Sequence, residues 1–425
     1  MNDTIFALSS GAPPAAIGII RVSGPAAGKA IEKLTGRSVE PRKAHVANLR
    51  DGNGNILDQA LVLWFPGPKT ATGEDLAEFH CHGGRAVIAA VEGALAALDG
   101  LRPAQVGEFT RRAFTNGRID LSEAEGLAEL LSAETELQRS AAIAMAGGVF
   151  SQQIENWRGQ LLKLTALVEA VLDFSDDDDV SEMPESFSAQ LAGLEQELQV
   201  WLNRPRSEKL GEGYRVVLAG PPNAGKSTLF NALLESEAAI TAASAGTTRD
   251  VIERSVGLDG VPFTFVDTAG LREGSEDAIE VSGIARAHEQ LRQADCVLWL
   301  GPEGEGPAGS WEIASQSDRS DVADKKNPMI AVSGKTGENV LQLKQLLVQA
   351  ARGKLPKPGE AALNQRQHDL LSQAVNGLSD AGGQSDPLLV AEGLRTARQS
   401  FDRLTGRATT EDMLDTLFGR FCIGK

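Results

Sequence analysis

The segment Gly220-Pro221-Pro222-Asn223-Ala224-Gly225-Lys226-Ser227 limits the possible folds more than any other feature, because it fits G-x-x-x-x-G-K-[ST] in its proper setting. An apolar run (Val216, Val217, Leu218) precedes it and a helix-forming run over 228–234 follows, so the spacing predicts a strand, a tight loop and a helix start. In that arrangement glycines let backbone N–H groups wrap phosphates at the positive end of a helix. Lys226 would reach the terminal phosphates and the Ser227 hydroxyl would ligate Mg²⁺. Asn223, Ala224, Gly225, Lys226, Ser227 and Thr228 are therefore the expected cradle. From Gly213 onward, apolar strands over 215–219, 263–266, 296–300 and 329–332 alternate with helical stretches, the pattern of a doubly wound α/β sheet.

Downstream elements narrow the ligand. Asp267-Thr268-Ala269-Gly270 ends an apolar strand, where a carboxylate holds Mg²⁺ through water and a glycine amide senses a γ-phosphate. Between it and the loop lies Gly246-Thr247-Thr248, whose Thr248 is suited to close over Mg²⁺ when that phosphate is present. Alone, each of these is a turn as often as a site; in this order and spacing they form one. A guanine-binding chain should then show Asn-Lys-x-Asp, with the aspartate taking the N1–H and N2–H of the base. This chain offers Ser315-Gln316-Ser317-Asp318, which keeps the aspartate alone, and Asp321 and Asp324 leave the register open. Ser333-Gly334-Lys335 fits the loop that closes behind the base. The expectation is GTP with Mg²⁺ held by Ser227 and Thr248.

The remainder differs in texture. Residues 1–118 mix strand-like runs (17–22, 60–65) with Gly/Pro turns and helical stretches including 86–98, an α+β pattern. From Leu121 helical periodicity takes over, and Leu161, Leu164, Val168, Val171 and Leu172 mark one apolar helix face. The acidic run Asp176–Asp179 and Pro184 break it, a helix over about 187–202 follows, and helical periodicity resumes after the proline-bearing linker 354–358. At 425 residues this gives four segments: 1–118, a helical stretch 119–210, an inserted α/β module 211–354, and a second helical stretch 355–425. Three widely spaced cysteines (Cys81, Cys296, Cys422) argue for a reducing cytoplasm and against a disulfide framework. No signal peptide or membrane-length apolar run is expected. A net charge of −17 disfavours general coating of nucleic acid, although a local basic patch or a partner could still present one.

On these motifs and four others the chain resembles the MnmE/TrmE family of tRNA-modification GTPases. The four are Asp3-Thr4-Ile5 with residues 17–24, Thr72-Gly73-Glu74-Asp75 with His82-Gly83-Gly84, the stretch 107–118, and the terminal Phe421-Cys422-Ile423-Gly424-Lys425. The resemblance implies an α+β N-terminal folate-binding and dimerisation domain, an α-helical central domain and an inserted α/β P-loop G domain. It implies a homodimer, a heterotetramer with a GidA-type FAD protein, and addition of a carboxymethylaminomethyl or aminomethyl group to C5 of the wobble uridine of certain tRNAs. The one-carbon unit would come from a tetrahydrofolate derivative, 5-formyl or methylene. Carried over by position, Arg21, Glu78, Arg118 and Lys425 correspond to folate contacts; Arg118 stands where a lysine is common. In the G domain the resemblance implies K⁺ in place of an arginine finger, held by Asn223, Ala242, Ser244 and Thr247, largely through backbone oxygens. Glu280 matches the residue that orients the attacking water, and Cys422 a position at the tRNA-modifying centre.

Plainer readings stand beside these. Cys422 is either functional or a small buried apolar residue between Phe421 and Ile423. Glu280 is either catalytic or an exposed charge on a switch helix. His80 and His82 lack further ligands at metal spacing, and Arg111 and Arg112 fit a ligand anion or surface salt bridges equally well. Two other functions fit parts of the chain: an assembly GTPase that recruits partners, and a folate-dependent transferase with a vestigial G domain. Folate binding would separate the first from a modification enzyme. Intact Lys226, Ser227, Thr248 and Asp267 argue against the second.

Overall fold

A computed structural model describes residues 3–173, 183–235, 252–268, 288–319, 325–408 and 410–424. The chain divides into two compact units, Met1–Ala128 with Gln399–Lys425, and Glu129–Arg398.

The first unit is built on a six-stranded sheet. Its strands are β1 (Thr4–Leu8), β2 (Ile17–Ser23), β3 (His45–Arg50), β4 (Ile56–Phe65), β5 (Leu76–His82) and β6 (Leu101–Pro103), in the order β3-β4-β5-β2-β1-β6. All pairs are antiparallel except β1 with β6. Alternation decides the two faces. Ile20, Val22, Ala77, Phe79, Cys81, Ala60 and Val62 point to one side, where they pack with Ala30, Ile31, Leu34, Val91 and Leu95 of helices Ala27–Thr35 and Arg85–Ala96. The residues between them, Arg21, Glu78 and His80, fall on the opposite face.

Helix Glu108–Thr115 carries the fully buried Arg112, whose guanidinium donates to Asp3 Oδ1 (3.0 Å), Glu108 Oε1 (3.0 Å) and Glu74 Oε2 (3.1 Å). Arg111 instead pairs with Asp415 Oδ1 (2.8 Å) and with Glu411. Both arginines are thus held by acids of the fold. Residues 411–424 close this unit. Helix Glu411–Phe418 packs Leu414, Leu417 and Phe418 against Leu121 and Ala124, and Ile423 forms an antiparallel bridge to Val106. Gly424 has φ +93°, and a Cβ there would lie 2.2 Å from the Leu8 carbonyl oxygen, so only glycine lets the tail run this close to β1.

The second unit joins helices to an α/β module. In the 25-residue helix Val149–Asp173, Ile154, Trp157, Leu161, Leu164, Val168 and Val171 form the buried stripe, with Leu172 half-buried at its margin. Helix Ser186–Leu202 packs beside it and against helix Gln365–Gly382. The run Asp176–Asp179 lies outside the described residues.

The module's strands are β7 (Tyr214–Ala219), β8 (Ile252–Leu258), β9 (Val261–Asp267), β10 (Cys296–Trp299), β11 (Trp311–Ser315) and β12 (Ile330–Val332), in the order β12-β11-β10-β7-β9-β8. Only β8 runs antiparallel to its neighbour. The core formed by Val216, Leu218, Phe263, Phe265, Leu298 and Ile313 also contains Leu137, Ala141, Leu355 and Ala362. Helix Glu136–Ala146 and the stretch after Lys354 are therefore packed into the module, and the proline-bearing linker is anchored by Leu355.

Candidate functional site

In a sheet whose strands β7 and β9–β12 run parallel, the carboxyl ends share one edge, and ligands bind where neighbouring connections diverge. That point is the end of β7, which lies between β9 and β10. The phosphate loop begins there, and helix Lys226–Leu234 starts at Gly225. The described residues expected to hold the phosphates and Mg²⁺ lie around it.

Lys226, 7% exposed, donates from Nζ to the carbonyls of Gly220 (3.0 Å) and Pro221 (2.8 Å), so its ammonium is held over the loop. Ser227 Oγ lies 2.6 Å from Oδ2 of Asp267, the buried last residue of β9. Two hard oxygens side by side at a helix N-terminus form a donor set that fits Mg²⁺, which keeps several waters and takes few protein oxygens. Thr268 Oγ1 donates to the Leu218 carbonyl (2.8 Å), fixing the end of β9 to β7. Ala224 and Thr228 belong to the same loop and helix.

The base side is built from β11 and β12. Buried Ser333 donates from Oγ to Asp318 Oδ1 (2.7 Å). That bond, ahead of smaller effects including Lys335 and Arg319, holds the Asp318 carboxyl below its ordinary range. An ionised carboxylate is an acceptor on both oxygens, which suits a base edge offering two adjacent N–H groups. The Ser333 hydroxyl also accepts from the backbone N–H of Lys335 (3.3 Å) and Thr336 (3.1 Å), shaping the closing loop. Gly334 lies against the first turn of the phosphate-loop helix, where a Cβ would stand 2.9 Å from Leu229 Cα. Asp318 is thus brought to the site; Asp321 and Asp324 lie outside the described residues. So do Ala242, Ser244, Gly246, Thr247, Thr248, Ala269, Gly270 and Glu280. Ser315 and Gln316, which in sequence stand only as departures from the Asn-Lys-x-Asp pattern, donate to the carbonyls of Ala224 (2.7 Å) and Asn223 (2.9 Å). Their contacts follow from β11, since a strand ending at Ser315 aims the next residue at the loop.

On the face of the first unit's sheet opposite its main core, Arg21 and Glu78 are direct cross-strand partners. Arg21 donates to Glu78 Oε1 from Nε (3.1 Å) and Nη2 (2.9 Å), and His80 Nε2 lies 3.2 Å from Oε2. The Arg21 guanidinium stands 6.0 Å from the Phe109 ring centre, which joins this pair to the helix carrying Arg112. Arg118 is placed at the neighbouring loop, where Nε donates to the Thr70 carbonyl (3.1 Å). His82 is engaged by Asp58 (2.7 Å). Cys422 is exposed, so the buried alternative does not hold, whereas burial pushes the thiols of Cys81 and Cys296 up to about 12. Lys425 lies outside the described residues.

A phosphate loop at the switch point of a doubly wound sheet, with an acid at the next strand end, defines the class of P-loop nucleotide hydrolases. Family models match over almost the whole chain: "GTP-binding protein TrmE N-terminus" over 4–118 and "MnmE helical domain" over 121–422. The chain is 61% identical over 423 residues to the tRNA modification GTPase MnmE of Erythrobacter litoralis, and 60% identical over 437 residues to that of Novosphingobium aromaticivorans, with full coverage on both sides in each case. The chain belongs to the MnmE family of tRNA-modification GTPases. It is accordingly a GTP-binding and GTP-hydrolysing enzyme of tRNA modification, with an α+β N-terminal domain, a helical domain and an α/β G domain. Among solved structures, the G domain of the T. maritima FeoB iron transporter is 25% identical, covering 32% of this chain and 98% of that one, with a TM-score of 0.24. Among the described residues no helix is long and apolar enough to cross a membrane.

Proposed function

We infer that this chain is a potassium-stimulated GTP hydrolase. With a FAD-dependent GidA-type partner it adds a carboxymethylaminomethyl or aminomethyl group to C5 of the wobble uridine of certain tRNAs, using a folate one-carbon unit. In the G domain, Ser227 and Thr248 would hold Mg²⁺, and Asp267, hydrogen-bonded to Ser227, would support it. Asn223, Ala242, Ser244 and Thr247 would hold K⁺; Asn223 is exposed, with φ +62° at the phosphate loop, and is an oxygen donor of the right kind. A cation held there would supply neutralisation of the charge that builds on the phosphates. Lys226 binds the terminal phosphates, Glu280 orients water, and Asp318 with Ser333, Gly334 and Lys335 selects guanine. GTP supplies conformational work, not chemistry on the base.

The observation that carries the folate part is the Arg21–Glu78 pair. Its side chains are 25% and 15% exposed, with the Phe109 ring beside the guanidinium. A pterin edge needs a carboxylate and the glutamate tail needs cations, which Arg21, Arg118 and Lys425 would provide. Exposed Cys422 would belong to the modification centre. The chain acts as a homodimer in this reading. Incubating it with the GidA-type partner, unmodified tRNA, GTP, glycine and methylene-tetrahydrofolate tests the proposal. Folate-dependent gain of mass at the wobble uridine is expected, and modification that is indifferent to folate would refute it.

A further inference from the structure

Strand β11 ends in a contact that the Asn-Lys-x-Asp pattern does not supply in the usual form, because this chain has Ser315 and Gln316 in its place. Ser315 Oγ donates to the Ala224 carbonyl (2.7 Å) and Gln316 Nε2 to the Asn223 carbonyl (2.9 Å). The next loop residue is Gly225, at φ +86°, and a Cβ there would lie 3.0 Å from the same Gln316 Nε2. Two consecutive residues of the phosphate loop are therefore gripped by two consecutive side chains of the base loop, and Gly225 leaves room for the Gln316 amide beside them. The backbone on both sides is set for this grip: Asn223 has φ +62° and Gln316 φ +60°, a conformation unusual for residues other than glycine. Ser317 extends the connection, since its N–H donates to the Val332 carbonyl (3.1 Å) and its hydroxyl to Glu338 (2.8 Å).

We propose that Gln316, with Ser315, is a positioning residue of the nucleotide site: a neutral clasp that fixes the phosphate loop at Asn223 and Ala224 and replaces the motif's lysine. The proposal rests on the chain's GTP binding and goes beyond it. The amide delivers a hydrogen bond of the same direction as an ammonium would, without placing a cation beside the purine. Guanine selection then falls to Asp318 with the Ser333-Gly334-Lys335 loop, while Gln316 governs how well the loop holds phosphates of any nucleotide bearing a purine that fits.

These roles separate in a binding experiment on the full chain. Calorimetric titration with GDP and with IDP, which lacks the 2-amino group, is made for the wild type, Gln316→Ala, Ser315→Ala and Gln316→Lys. Losing one hydrogen bond of about 1 kcal/mol weakens binding about fivefold. Gln316→Ala and Ser315→Ala are each expected to weaken GDP and IDP by that same factor, leaving their ratio at the wild-type value. Gln316→Lys, which keeps a donor of sufficient reach, is expected to bind both at least as tightly as the wild type. A loss confined to GDP would show that Gln316 reads the base and would overturn the proposal. So would unchanged affinity in Gln316→Ala, or a lysine variant as weak as the alanine one. A wild type that binds neither nucleotide would contradict the GTPase reading itself, an outcome distinct from all of these.

Discussion

Replacing Arg112 by methionine tests how the N-terminal unit is held together. The arginine is fully buried and satisfies Asp3, Glu74 and Glu108 at once; Arg102 is a second cation for Asp3 (2.7 Å) and Glu108 (2.6 Å). In the variant Glu108 and Asp3 keep Arg102, whereas Glu74 is left with the Ser23 hydroxyl (2.8 Å). Removing one partner of a buried ion pair costs about 3–5 kcal/mol, and the surviving Arg102 places this case near about 3 kcal/mol. For a unit of this size that is a fall of roughly 6–12 °C in Tm. The pH dependence has a definite sign. Burial alone would raise the Glu108 carboxyl, but bonds from Arg102, the Gln105 N–H and Arg112 outweigh it and hold the group below its ordinary value. Asp3 is lowered in the same way, against its own slight burial, by Arg102 and Arg112. Depressed carboxylates contribute stability above their unfolded values of about 4 and lose it as pH falls through their folded values. The gap between wild type and variant should therefore be full at pH 7 and narrow below about pH 4. Calorimetric melts at pH 7, 5 and 3.5 measure it. A fall under about 2 °C at pH 7, or a gap that widens on acidification, would refute the reasoning.

Three other outcomes are expected. Ser227→Ala should lower GTP turnover by at least about a hundredfold, with the loss only partly recovered at high Mg²⁺, as steady-state phosphate release can measure. Glu78→Gln should weaken 5-formyltetrahydrofolate binding at least about tenfold, the value of a hydrogen bond to a charged group, with GTP turnover unchanged; equal folate affinity in a fluorescence titration would remove Glu78 from the folate site. A thiol reagent at pH 8 should modify one group per native chain, Cys422, because Cys81 and Cys296 are buried with their thiols pushed up to about 12. Rapid modification of a second thiol, or labelling that survives Cys422→Ser, would contradict that assignment.

The strongest sequence signals were those in which backbone geometry and chemistry demand the same residues. The phosphate loop is legible because glycine, lysine and serine are needed at fixed offsets between a strand and a helix, and the structure places strand β7 and helix Lys226–Leu234 on either side of it. The apolar stripe of helix Val149–Asp173 is legible through its period, and only Leu172 moves to the margin. Strand β11 was missed because Trp311-Glu312-Ile313-Ala314-Ser315 is short, has one fully buried residue, and follows a Gly/Pro-rich stretch that reads as loop. With it went the contacts of Ser315 and Gln316, which depend on sequence separations of 91 and 93 that no local pattern encodes. Strand β8 was missed for a related reason: it lies at the sheet edge, paired on one side only. Arg111 and Arg112 are adjacent and alike in sequence, yet helical geometry sends one to Glu411 and Asp415 and buries the other among three acids. Composition cannot tell such neighbours apart; the partner elements do.

The most direct test of the functional account is GTP turnover in potassium chloride against sodium chloride at equal ionic strength, with ATP as control. Faster GTP hydrolysis in potassium with ATP inert is the expected result. It would mean that Asp318 retains guanine selection without the motif's lysine and that the Asn223 loop works with K⁺. Turnover indifferent to the cation, or equal use of ATP, would contradict it.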